Sequence, residues 1–253
     1  MLALTLSVGL LACPLHPVSL DLELGKRALP GLPPDLARQL TKHPQAYRRG
    51  AEAAFAYPQA IHVMGPGNSL EEAVLAQCER LVAAIRGQAS FETVTAGFGV
   101  LAHLVWDLNF PVEASTEAEA RAFVAFLQSR APRIPVVFYS GYESLPFSSR
   151  ETLWGFILAE ASRVSPLRQA LSEDFRRVGG PGFWNLLDDR STAFGVASVS
   201  LNRAISQYVA LSSWVWHHAG GLVVPFPGDG NRILVWKGEL KPREAPLPRL
   251  GIR

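Results

Sequence analysis

Several scarcities narrow what this chain can be. Among its 253 residues there are two cysteines, Cys13 and Cys78, and a formal net charge of only +2. Two thiols allow one internal disulfide, and a Cys13–Cys78 pairing stays open. A charge so close to zero gives no electrostatic footprint for stable nucleic-acid binding or for an anionic membrane surface. No low-complexity tract is present, because the 19 prolines and 21 glycines are spread along the chain. No repeat of 20–50 residues is evident. The longest apolar run, Leu2 to Ala12, is short of the roughly 20 residues that a membrane-spanning helix needs. Gly65-Pro66-Gly67 and Gly179-Gly180-Pro181-Gly182 lack the lysine and preceding strand of a phosphate-binding loop, and no Gly-x-Ser-x-Gly elbow occurs. Strand patterns are nearly missing too. Val136-Val137-Phe138 and Arg232 to Trp236 are the only tempting ones.

What remains is helix. Apolar positions recur at helical spacing in about eight segments, which makes the class all-α: a multi-helix bundle with long loops. Val18 to Leu29 is the first helix. Pro33-Pro34-Asp35 opens a second that runs to about Tyr57, with Pro44 as an interruption. Ser69-x-x-Glu72, Thr116-x-x-Glu119 and Ser148-x-x-Glu151 are capping-box patterns that start three more. Ser90 begins a helix to about Leu108, Ser165-Pro166 another to about Val178, and Ser191 to His218 is the longest. Residues 14–253 read as a single domain, preceded by a candidate leader at 1–13. Leu10-Leu11-Ala12-Cys13 has the form of a bacterial lipoprotein signal, in which Cys13 becomes the lipidated first residue. The expectation is export to the bacterial envelope, as a periplasmic or membrane-anchored lipoprotein, or secretion. Association with the membrane would run through the lipid on Cys13.

The chemistry gathers around Gly97 to Pro111. His103 and Asp107 are four residues apart, so they leave the same helix face one turn from each other. An imidazole and a carboxylate so placed either satisfy one another in the core or grip one cation. Pro111, with Asn109 before it, ends the helix. His62 stands in the loop that follows Tyr57, and His16 lies just beyond the candidate leader. His217 and His218 are neighbours on a helix, face different ways, and suit the negative end of the helix dipole.

Three stretches resemble the zinc-dependent phospholipase C family, which is related in fold to single-strand-specific zinc nucleases. Gly99 to Pro111 is similar to the family's histidine-three-aspartate helix with its following asparagine and proline. Leu32-Pro33-Pro34-Asp35-Leu36 and Tyr47-Arg48-Arg49-Gly50-Ala51 resemble its early helices, which end in a Gly-Ala turn. Phe194 to Gly221 looks like the last long helix of bacterial members. The resemblance implies a zinc cluster in a cleft between helices, with His16, His62, His103 and Asp107 as ligands. Zinc accepts imidazole and carboxylate ligands and lowers the pKa of a water toward about 7. The implied activity is hydrolysis of a phospholipid or another phosphate diester, with Asp107 the residue on which catalysis would turn.

The departures shape the expectation. The third histidine of the family's helix is Glu113 here, and Glu52 is the only carboxylate near the place where an aspartate should follow the Gly-Ala turn. A later histidine–acid pair is missing, and Arg203 and Gln207 hold that spacing. One zinc ion is therefore expected rather than three, drawn from His16, His62, His103, Asp107, Glu113 and Glu52. The alternative is a non-catalytic helical relative with a degenerate metal site, serving a structural or binding role in the cell envelope. The oligomeric state is not legible.

Overall fold

In a computed structural model, residues 16–64, 70–112, 117–179 and 188–223 are described. They form nine α-helices: α1 Val18–Ala28, α2 Pro34–Lys42, α3 Pro44–Ala54, α4 Leu70–Arg86, α5 Phe91–Asn109, α6 Glu117–Arg130, α7 Arg150–Ser162, α8 Ser165–Arg177 and α9 Thr192–His218. No strand occurs among the described residues. The all-α expectation holds, with one more helix than expected. Pro44 accounts for it: lacking an N–H, it starts α3 afresh with His43 as cap instead of kinking one long helix.

Local chemistry sets the helix ends. Ser90, Ser149 and Ser191 cap α5, α7 and α9, each side chain accepting from the backbone N–H three residues on. The α7 start is one residue later than the capping box at Ser148 suggests. Ser69 and Thr116, the other two expected caps, lie outside the described residues, as do Cys13 and the rest of the leader, and Arg232 to Trp236. Asp174 of α8 reinforces the start of α9 by accepting from Ala193 N at 3.2 Å, where a carboxylate also suits the helix dipole.

α5 is the axis of the bundle. Its residues from Phe98 to Asn109 are all buried, because Gly97, Gly99 and Ala102 let neighbours approach closely and Leu101, Leu104, Val105 and Trp106 fill the space between. α3 crosses it at closest range. A Cβ on Gly50 would collide with the Ala96 carbonyl, so only glycine permits this crossing. Gly50-Ala51 is thus inside α3, not a turn after it. α1 is fastened on another side of α5 by Trp106 Nε1, which donates to Leu20 O at 2.8 Å. α9 packs along α5 as well, and Tyr208 donates to Phe98 O at 3.3 Å. Buried side chains of all nine helices form one apolar cluster, with Cys78 in it as a free thiol.

Val136-Val137-Phe138 forms no strand among the described residues, Val136 making only a single β-bridge. α9 supplies its partners instead: Asn202 accepts from Val137 N at 2.9 Å and donates to Pro135 O, and Ser206 accepts from Tyr139 N at 3.0 Å. Side chains satisfy backbone groups that a neighbouring strand would otherwise take. Arg27 of α1 anchors the turn before it, donating to Ile134 O and Ala131 O.

Candidate metal centre

Where α1, the turn after α3 and the middle of α5 meet, five ionisable side chains lie in the core. His16 immediately precedes α1, and Asp21 is in its first turn. His62 ends a short 3-10 turn, Gln59–His62. His103 and Asp107 come from α5, one turn apart. None of the five is more than 6% exposed, so each must find its partners within the protein.

The contacts are specific. His62 Nδ1 lies 2.7 Å from Asp107 Oδ2, and His103 Nδ1 lies 3.0 Å from Asp21 Oδ2. His16 Nε2 is 3.3 Å from Asp107 Oδ1 and its Nδ1 3.5 Å from Asp21 Oδ1, while His103 Nε2 is 3.5 Å from Asp107 Oδ2. A simple core pair would have Asp107 satisfy the ring N–H of His103. Here the hydrogen bond of His103 goes to Asp21, on a different helix.

Electrostatics and unmet hydrogen bonding both bear on what this cluster could hold. With neutral imidazoles its two carboxylates carry two negative charges in the core. Burial alone would raise the pKa of Asp107, but its contacts with His16 and His62 and the charges of His103 and His16 hold it well below the usual carboxylate range. Burial works against protonation of His16, yet the Asp21 charge and the Asp107 contact raise it to about 9. Burial pushes Asp21 up. Six buried atoms nevertheless lack a hydrogen-bond partner of good geometry: both nitrogens of His16, Nε2 of His62 and of His103, Asp21 Oδ1 and Asp107 Oδ1. Such orphans are costly and call for an explanation. A cation supplies one. Ligand atoms of His16, His103 and Asp107 lie within 4.8 Å of one another, and this buried group could hold a metal ion. The donors are nitrogen and carboxylate oxygen, the set that suits zinc and its neighbours.

Of the residues expected from sequence, His16, His62, His103 and Asp107 come together here. Glu52 does not. It is exposed on α3, 3.8 Å from Arg48. One turn further on, the Phe55 ring is the group that reaches the cluster, with centroids 4.5 Å from His103 and 6.2 Å from His16. Glu113 lies outside the described residues. Asp21 was missed, although a signal was available: it shares the buried face of α1 with Leu20, Leu24 and Ala28, where an unpaired acid is untenable.

The positions with the spacing of a second histidine–acid pair are occupied by a different network. Gln207 exchanges hydrogen bonds with Asn109 at 2.7 and 3.2 Å and donates to Glu160 Oε2 at 2.8 Å. Arg163 pairs with the other oxygen of Glu160, and Arg203 donates to Arg163 O. An amide donates to this carboxylate and a guanidinium neutralises it.

No protein-family model matches the chain, and no curated protein is significantly similar to it.

Proposed function

We propose that this protein is a single-zinc helical protein with a phospholipase C-like scaffold, in which the ion is held in the core rather than presented to a substrate. Its role is then structural or binding, at the envelope location suggested by the leader. One observation carries this reading: the donors that converge on the site, His16, His103 and Asp107, are all buried, at no more than 3% exposure. His16, His103 and Asp107 would hold the ion, and His62 would orient Asp107 through its 2.7 Å contact. An ion there joins the segment before α1 to the central helix, so its binding free energy becomes folding free energy. No helix among the described residues is long and apolar enough to cross a membrane.

A second reading, a zinc-dependent hydrolase of a phospholipid or other phosphate diester, is favoured by the donor set. Two imidazoles and one carboxylate, with no cysteine, match catalytic zinc sites better than structural ones. Zinc, when bound, supplies Lewis acidity and acidifies a water.

Elemental analysis of the purified full chain tests the first reading, with His103→Ala as control. About one zinc per chain, lost in the variant, is the expected result. No metal in the wild type, or metal unaffected by the substitution, overturns it. Turnover of a choline phospholipid or of bis(p-nitrophenyl) phosphate that requires the zinc would decide for the hydrolase.

A further inference from the structure

Asp21 divides its two carboxylate oxygens between two histidines, and in both cases it meets the same ring nitrogen. Oδ2 is 3.0 Å from His103 Nδ1, and Oδ1 is 3.5 Å from His16 Nδ1. Only the His103 contact is a hydrogen bond; His16 Nδ1 and Asp21 Oδ1 meet as a charge contact, and each is without a hydrogen-bond partner. The opposite nitrogens, His16 Nε2 and His103 Nε2, both face Asp107, at 3.3 and 3.5 Å, and are likewise buried without a hydrogen-bond partner. An imidazole binds a cation through a deprotonated nitrogen, and the partner of its other nitrogen determines which one that is.

We propose that Asp21 is a positioning residue that holds His16 and His103 as Nδ1–H tautomers and thereby aims both Nε2 lone pairs at one divalent cation beside Asp107. This rests on the metal-binding reading above. Asp21 is placed for this task and not for ligation. Its oxygens lie at the Nδ1 edge of each ring, and it is not among the residues whose ligand atoms converge. Its backbone is fixed independently of the cluster. Tyr47 OH donates to Asp21 O at 3.4 Å, and Trp106 Nε1 donates to the preceding carbonyl, Leu20 O. One carboxylate behind two imidazoles also makes both better ligands, because a partially shared proton raises the electron density on Nε2.

The test uses the full-length chain loaded with zinc. In histidine-¹⁵N-labelled wild type, His16 and His103 should both show a protonated Nδ1 and a zinc-bound Nε2. Either ring protonated at Nε2 overturns the proposal, and this readout does not depend on any variant folding. In Asp21→Asn, zinc affinity should fall by about 10–100-fold, with the same number of nitrogen and oxygen ligands in X-ray absorption. Unchanged affinity overturns the proposal, and so does the loss of an oxygen ligand, which would make Asp21 a ligand itself. A wild type that takes up no zinc overturns the metal reading together with this one; a zinc-binding wild type with an indifferent Asp21→Asn overturns this one alone.

Discussion

Gly99 of α5 faces the Tyr47 carbonyl of α3 with no room for a side chain between them. A Cβ at Gly99 would stand 2.9 Å from Ala51 N and closer still to Tyr47 O, whereas real Cβ contacts stay beyond 3.0 Å. The obstruction is backbone, which cannot swing aside as a flexible side chain does. Gly99→Ala should therefore force α3 and α5 apart and cost at least the roughly 1–3 kcal/mol typical of overpacking. Because His103 is one turn further along α5, metal content should fall with stability. Gly155, in α7, has open space around it, and Gly155→Ala should instead stabilise by about 0.5–1 kcal/mol through helix propensity. Urea unfolding of the two variants checks both signs.

The raised pKa of His16 makes the ion-free protein sensitive to alkali. A histidine at about 9 when folded and about 6.5 when unfolded contributes stability that is complete below pH 6.5 and is lost as pH rises through 9. The difference corresponds to roughly 3 kcal/mol. Asp107 works in the opposite sense, its low folded value adding stability above pH 4 that disappears on acidification. Chelator-treated protein should thus be more stable at pH 6.5 than at pH 9.5, with the difference much reduced in His16→Gln. Zinc should narrow it in the wild type, because the ion displaces the proton.

The helices were the legible part of this molecule. Their apolar spacing follows the 3.6-residue period, and Ser90 and Ser191 announce α5 and α9 by a hydrogen bond that is local in sequence. His103 and Asp107 were legible as a pair for the same reason. Partners from other helices were not. Asp21, in a first turn, suits the helix dipole; its place on the apolar face of α1 signals that it needs a buried partner, but nothing local reveals that the partner is His103, 82 positions away. Glu52 failed as a candidate because one helical turn separates it from Phe55, the residue that faces the cluster. Likewise Gln207 reads as an ordinary polar residue until Asn109 and Glu160 are seen around it.

That network gives a clear expectation. Gln207 is fully buried and serves Asn109 and Glu160 together. Gln207→Leu keeps the bulk but strips a donor from a buried carboxylate and leaves the buried Asn109 amide with only its bond to Val105 O. A cost of roughly 2–4 kcal/mol follows from leaving those groups unsatisfied. If the network stands in place of a second metal, zinc per chain should stay at the wild-type value even as the melting temperature falls. A loss of zinc would instead show that this region also holds metal.

Phe55 borders the candidate metal centre. Its ring is only partly buried, yet it lies 4.5 Å from His103 and reaches toward His16, so it separates the buried donors from solvent on the α3 side. If the ion is sealed in the core, its release waits for this ring to move. Phe55→Ala removes the ring without touching a donor, and alanine suits the helix end it occupies. Equilibrium zinc affinity should change little, whereas removal by a chelator should accelerate, by about tenfold if the ring adds about 1.4 kcal/mol to the opening barrier. Stopped-flow transfer of zinc to a chromogenic chelator measures this directly. Equal release rates would mean that the ion already communicates with solvent by another path. The substitution also separates the two functional readings. A sealed structural ion gains only exchange, whereas a catalytic one gains hydrolysis of small phosphate diesters once water and substrate reach it.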